Sequence, residues 1–307
     1  MLKPPRLRPG DRIGVVAPAS GFPREQFDAG ITELRSLGFT PVFEESVFAS
    51  RSYVAGAADV RAAAFLNAWR DPDVAALIAV RGGFGSAHVL PSLNVAELRK
   101  TPKAFIGYSD LTSILSYLTT RCGIVSFHGP MLDRRLGAGV TAYDRSSFLR
   151  ALTETQPLGE LAYPELESFS TGEASGVLAG GTLAQIVASL GTPYAFDPPQ
   201  GHVLFLEDIS ERPYKLDRML TQLRFAGILE RASAIVLGEF VGCDEPGGEP
   251  KARATLADVL SGFRGPVIYG FPSGHTERAL VTLPFGVRAR VVAGATPRLV
   301  IEEAGVS

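Results

Sequence analysis

Phe105-Ile106-Gly107-Tyr108-Ser109-Asp110-Leu111-Thr112 is the stretch that decides how this chain folds. An apolar strand, Ala104 to Gly107, runs into Gly-x-Ser and then, without a spacer, into the helical pattern Leu111 to Thr120. A serine at such a junction sits on a tight turn at a helix N-terminus, where the positive end of the helix favours developing negative charge. The backbone N–H of Asp110 is then placed to donate to an oxyanion, as in a nucleophile elbow. Such an elbow ordinarily has a second glycine two residues after the serine, and here Leu111 stands in that place. Ser109 or Asp110 serving only as a helix cap fits the same letters.

On either side of this stretch, strand and helix alternate. Ile13 to Ala17, Pro41 to Glu44, Val74 to Val80 and Ile124 to Phe127 read as strands; Gln26 to Leu37 and Ala58 to Trp69 read as helices. Alternation of this kind makes parallel βαβ units and a doubly wound α/β sheet with helices on both faces. Ligands of such sheets lie outside the carboxyl ends of the strands. The rhythm breaks between Thr153 and Ala174, where Pro157, Gly159, Pro164 and Gly172 suggest an interdomain connection. Beyond it, strands are expected at His202 to Leu206, Ala234 to Gly238, Pro266 to Tyr269, Val287 to Val292 and Arg298 to Glu302, with helices at Leu183 to Leu190 and Tyr214 to Phe225. Their irregular order predicts a mixed sheet. The expected organisation is a first domain over 1–152, a linker over 153–174 and a smaller mixed β/α domain over 175–307.

At about 150 residues per domain, 307 residues make roughly two domains. The formal net charge of −2 offers no basic stripe for nucleic acid and no pull toward an anionic membrane. With 46% apolar and 20% charged residues, the chain is not broadly disordered. Two cysteines, Cys122 and Cys243, make neither a disulfide framework nor a four-thiolate zinc site, so no metal is expected. No apolar run approaches the roughly 18 residues of a membrane helix. The opening Met1 to Gly10 has positive charge without an apolar core, unlike a secretory signal, so the expected compartment is the cytoplasm.

Two further strand ends carry chemistry. Ala79-Val80-Arg81-Gly82-Gly83-Phe84-Gly85-Ser86 ends a strand in glycines that let backbone N–H groups approach a ligand, either a phosphate or an oxyanion. It matches neither dinucleotide nor Walker spacing, and a plain tight turn with Arg81 on a surface carboxylate fits it as well. Gly270-Phe271-Pro272-Ser273-Gly274-His275-Thr276 delivers a histidine into a loop. Among the four histidines, His128 also follows a strand and competes as a base, His202 looks structural, and His88 lies on a helical stretch. Leu206-Glu207-Asp208 places two carboxylates at a strand end, where one can orient a histidine. A serine hydroxyl needs a base, and a base of this kind is stabilised by a carboxylate on its far nitrogen.

At these residues the chain resembles the LD-carboxypeptidase family of serine peptidases, the muramoyltetrapeptide carboxypeptidases and their microcin-immunity relatives. The resemblance runs through Pro9-Gly10-Asp11-Arg12-Ile13, Ala17-Pro18-Ala19-Ser20, Arg81-Gly82-Gly83-Phe84-Gly85, Gly107-Tyr108-Ser109-Asp110, Phe127-His128-Gly129-Pro130, Gly180-Gly181-Thr182, Leu206-Glu207-Asp208 with Tyr214 and Asp217-Arg218, and Gly274-His275. It implies a Rossmann- or flavodoxin-like first domain, a smaller mixed second one, and an active site between them. It implies Ser109 as nucleophile, His275 as general base and Glu207 as its orienting acid, with the N–H groups of Asp110 and Gly83 as oxyanion donors. It further implies removal of the terminal D-alanine from a murein tetrapeptide at the L-centre of diaminopimelate, without a cofactor, in the cytoplasm and as a homodimer. Arg81, as a cation beside the oxyanion loop, and Phe84 are the candidates for gripping substrate. Two other functions remain open. One is a microcin-immunity type of hydrolase, which calls for an aromatic that stacks on a nucleobase; the sole Trp, Trp69, is expected in the core. The other is a non-hydrolytic nucleotide- or phosphate-binding module built on Arg81 to Gly85.

Overall fold

The computed structural model describes residues 1–307. Five strands of the first half are β1 (Arg12–Val16), β2 (Thr40–Val42), β3 (Val74–Ala79), β4 (Ala104–Gly107) and β5 (Ser126–His128). The second half adds β6 (Gly159–Leu161), β7 (Glu167–Ser170), β8 (Gly172–Thr182), β9 (His202–Glu207), β10 (Ala232–Leu237) and β11 (Val267–Tyr269). It ends with β12 (Leu283–Phe285), β13 (Arg288–Ala293) and β14 (Arg298–Ile301). The first sheet has the order β12-β5-β4-β3-β1-β2 and is parallel except for β12, which pairs antiparallel with β5. Strand order in this sheet reverses between β1 and β3, and open α/β sheets hold their ligands outside the carboxyl ends of the strands at such a point.

The helices lie where the periodicity puts them, at Arg24–Ser36 and Ala58–Arg70. The first turns Phe27, Ile31 and Leu34 inward and the second Phe65, Leu66 and Trp69. Trp69 is buried, stacks on Phe65 with ring centroids 5.6 Å apart, and donates its indole N–H to Leu98 O at 3.3 Å.

The second sheet has the order β6-β14-β13-β8-β9-β10-β11-β7, with β8 to β11 parallel and the remaining strands antiparallel around them. It is the expected mixed sheet; its central strands β9 and β10 are buried on both faces, whereas β13 and β14 alternate buried with part-exposed residues. Val203 and Phe205 of β9 belong to the core shared with the first half, whereas Leu204 and Leu206 face a smaller core under helices Leu183–Ser189 and Pro213–Phe225. Val236 and Leu237 of β10 divide the same way, as the period of two along a strand requires. The larger core is continuous across both halves, and β12 crosses back into the first sheet, so the two halves are fused rather than hinged.

The stretch expected as a connection contains both edge strands of the second sheet, β6 and β7, and the start of its longest strand, β8. Further along β8, past that stretch, glycines are set by close approach. A Cβ at Gly176 would collide with Gly201 O, and one at Gly180 with Phe205 O. Strand β8 thus carries glycine where β9 and the turn before it approach. No helix is long and apolar enough to cross a membrane.

Candidate active site

The carboxyl end of β4 delivers Ser109 into a turn with φ of +64°. A serine adopts this left-handed conformation at a cost of about 1–3 kcal/mol. A 3₁₀ turn, Ser109–Leu111, follows and leads into helix Thr112–Ser116. Ser109 Oγ makes no cap bond to this helix. The Asp110 carboxylate does not cap it either: it accepts the Ser86 N–H at 2.8 Å, while Ser86 Oγ donates to Asp110 O at 2.6 Å. Those two bonds tie the turn after β4 to the glycine-rich loop after β3. Leu111, where an elbow ordinarily has its second glycine, is fully buried and packs the turn from below.

Glycine at 82 is required by close approach. A Cβ there would lie 2.9 Å from Ser109 Cβ, 3.1 Å from Ser109 Oγ and 3.4 Å from the Asp110 N. Gly83 is set against Ser20 instead, 2.5 Å from its Oγ to the place of a Cβ. Ser20 also links the β1 loop to this one, donating its N–H to Gly82 O at 3.1 Å and accepting the Phe84 N–H on Oγ at 3.0 Å. Beneath the loop lies Arg61, buried, with Nη1 on Pro18 O and Gly85 O and Nε on Gly56 O. Sequence reading missed Arg61, because an arginine in a helical pattern looks like its solvent face.

The second half contributes Glu207 from the end of β9 and His275 from the loop after β11. Glu207 is fully buried, and its Oε2 accepts two bonds from His275: the ring Nδ1–H at 2.8 Å and the backbone N–H at 2.9 Å. Thr182, last residue of β8, donates its hydroxyl to Oε1 at 2.5 Å. With Nδ1 protonated, the imidazole keeps the Nε2 lone pair free, which is the tautomer of a base. Burial pushes both ionisations toward the neutral forms. The mutual attraction outweighs it, so Glu207 is held below the ordinary carboxylate range and His275 is raised.

The halves meet through Thr182 and Tyr108. Thr112, in the helix after Ser109, accepts the Thr182 N–H on Oγ1 at 3.1 Å, so one chain of contacts leads from the serine turn to the carboxylate. Tyr108, beside Ser109 in sequence, packs against the His275 ring with centroids 5.1 Å apart. The structure thus joins Glu207 to His275 and packs the His275 ring on Tyr108, the residue before Ser109; it shows no hydrogen bond from Ser109 Oγ to His275.

Comparison with known proteins identifies the family. Residues 13–129 match the profile of the LD-carboxypeptidase N-terminal domain, and residues 175–291 that of the C-terminal domain. The chain belongs to the LD-carboxypeptidase family. A Bacillus subtilis relative named "Probable murein peptide carboxypeptidase" is 34% identical over 99% of this chain and 95% of its own. The crystal structure of muramoyltetrapeptide carboxypeptidase from Oxalobacter formigenes superposes with a TM-score of 0.82 at 31% identity, over 94% of this chain and 97% of that one. The microcin C7 self-immunity protein MccF, in complex with aspartyl sulfamoyl adenosine, superposes with a TM-score of 0.92 at 25% identity over the full length of both.

Within this LD-carboxypeptidase fold the other sequence candidates fall in different places. His128 is fully buried behind Glu207, its ring boxed by Phe205 and Phe285 at 5.1 and 5.2 Å, and burial pushes it down to about 4. Ser273 Oγ gives its only proton to Val281 O, so His128 Nδ1 donates to Ser273 and Nε2 is left facing Glu207 Oε1 at 4.0 Å. His128 is therefore in no position to serve as the base. His202 is buried on Pro199 O, as a structural histidine, and His88 is exposed. Arg81 pairs with buried Asp133 at 3.6 Å, and Phe84 stands exposed beside Tyr53, ring centroids 5.5 Å apart.

The approach of Gly82 yields a direct prediction. Gly82→Ala puts a methyl over the serine hydroxyl, and kcat should fall at least about 100-fold, since a misplacement of about 1 Å at a reacting centre costs that much. Steady-state kinetics on folded variant would show it; an unchanged kcat would mean that Ser109 Oγ is not the reacting atom.

Proposed function

We propose that this chain is a serine LD-carboxypeptidase that removes the terminal D-alanine from a murein tetrapeptide, cleaving at the L-centre of diaminopimelate. The observation that supports this reading is the double grip of Glu207 on His275, which leaves Nε2 without a partner while the ring packs on Tyr108, the residue before the strained Ser109. In this scheme Nε2 takes the Ser109 proton as Oγ attacks the scissile carbonyl carbon. The N–H groups of Asp110 and of the Gly82-Gly83 turn receive the oxyanion, and His275 returns the proton to the departing D-alanine amine. Water, activated by the same imidazole, then releases the acyl group and frees Ser109. The identities of 34% and 31% to murein peptide carboxypeptidases favour a muropeptide substrate. Both cysteines, free and buried, suit a cytoplasmic recycling role.

A microcin-immunity type of activity is the weaker alternative. MccF matches at 25%, below those carboxypeptidases, and Trp69, the single indole of the chain, is in the core. The deciding experiment is incubation with a diaminopimelate-containing tetrapeptide, followed by mass spectrometry. One D-alanine should leave. An intact tetrapeptide alongside a hydrolysed aspartyl sulfamoyl adenosine would reverse the order of the two readings.

Arg81 tests the grip on the free substrate carboxylate. Arg81→Ala should raise KM about 10-fold with kcat nearly unchanged, the mark of lost uniform binding. An unchanged KM would assign Arg81 to its ion pair with Asp133 alone. The pH dependence has a definite sign as well. The base works deprotonated, and Glu207 raises His275. The value of kcat/KM should therefore climb with pH through a midpoint above the ordinary histidine value of about 6.5. A midpoint below that value would separate His275 from the rate.

A further inference from the structure

Arg135 lies in the loop after β5, in the first half, yet most of its bonds reach the loop that carries His275. Nη2 donates to Gly274 O at 3.1 Å and Thr276 O at 2.8 Å, the carbonyls on either side of His275. Nη1 donates to Ala142 O at 3.0 Å and, more weakly, to Arg278 O at 3.4 Å. Nε points to the Tyr108 hydroxyl at 3.4 Å, and the guanidinium carbon lies 5.9 Å from the Tyr108 ring centroid. Tyr108 in turn precedes Ser109 and packs on the His275 ring. One planar fork thus holds the residue before the serine and both neighbours of the histidine.

We propose that Arg135 is the positioning residue that sets His275 against Ser109 across the boundary between the two halves. This rests on Ser109 and His275 being nucleophile and base. The chemistry suits the task. His275 arrives on an irregular loop, and the Ser109 turn belongs to a different sheet, so their separation is set by whatever spans the gap. A guanidinium offers five N–H donors in a fixed plane and keeps its charge at any working pH. Three carbonyls of one loop need such a fork; an ammonium on a flexible stem cannot meet them together. Its charge has a second effect. Against the effect of burial, the charges of Glu207 and Asp208 raise the His275 pKa, and the charge of Arg135 opposes them.

The test uses a fluorophosphonate that labels an activated serine, read by intact mass, so that it does not depend on the peptide substrate. Arg135→Ala should label Ser109 about 100-fold more slowly than wild type while still unfolding cooperatively, and added guanidinium ion should restore part of the rate. Its pH–rate profile should move to higher pH, because the opposing charge is gone. Arg135→Lys keeps the charge, so its profile should stay in place while its labelling remains at least about 10-fold slow. That variant carries the test if Arg135→Ala does not fold. Labelling of either folded variant at the wild-type rate overturns the proposal. A wild type that is labelled but leaves the tetrapeptide intact refutes the substrate reading and leaves Arg135 in its role. A wild type that is not labelled removes the Ser109 reading and this proposal together.

Discussion

Ser109→Ala is expected to lower kcat by at least about 10⁴-fold while leaving the fold as it is. Both halves of that expectation come from the turn. The hydroxyl makes no hydrogen bond within the protein and caps no helix, so its removal leaves no buried partner unsatisfied. Alanine at φ of +64° bears the same backbone strain as serine. The unfolding free energy should therefore change by less than about 1 kcal/mol. Gly82, Asp110 and the His275–Glu207 pair stay in place, so residual turnover would come from the oxyanion donors and binding alone. Product release by mass and thermal unfolding on the same preparation check the two halves. Retained turnover with an intact fold would mean that the conformation of this serine serves the backbone and not the chemistry.

Much of this arrangement is legible in the sequence because local signals and tertiary demands agree. The strand Ala104–Gly107 and helix Ala58–Arg70 lie within a residue of where apolar period and breakers put them, and Glu207 and His275 stand at loop mouths where a strand ends. What stays hidden depends on contacts distant in sequence. Strands β6 and β7 and the start of β8 read as a connection because prolines and glycines interrupt their pattern, while the strands they pair with, β14, β11 and β13, lie far along the chain, beyond any local window. Thr182 closes the Glu207 network and Arg135 clamps the His275 loop; Gly180-Gly181-Thr182 belongs to the resemblance without revealing what its threonine does, and an arginine after another arginine carries no distinguishing pattern. His128 misleads for the opposite reason. It follows a strand as a base would, but only packing reveals that Phe205 and Phe285 enclose it.

Glu207→Gln should cut kcat by roughly 10³–10⁴-fold and, at the same time, move the acid limb of the pH–rate profile to lower pH. A glutamine has nearly the volume of the glutamate it replaces. Its carbonyl can still accept both N–H groups of His275, and its amide can donate to Thr182 Oγ1, so the network survives in outline. The negative charge does not. Without it the imidazolium formed during proton transfer is no longer stabilised, which lowers the rate, and free His275 loses its proton at lower pH, which shifts the limb. Stability changes with a sign of its own. Glu207 is depressed in the folded state, so its contribution is present above the unfolded value of about 4.3 and is lost as pH falls through the folded one. His275 is raised, so its contribution is full below about 6.5 and is lost as pH rises through its folded value. Wild type should therefore gain most from this pair between those two pH values, and the gain should vanish in the variant. Unfolding temperatures across that range, set beside the pH–rate profiles, measure both effects. A variant whose limb stays where wild type has it would show that the carboxylate acts on something other than the ring of His275.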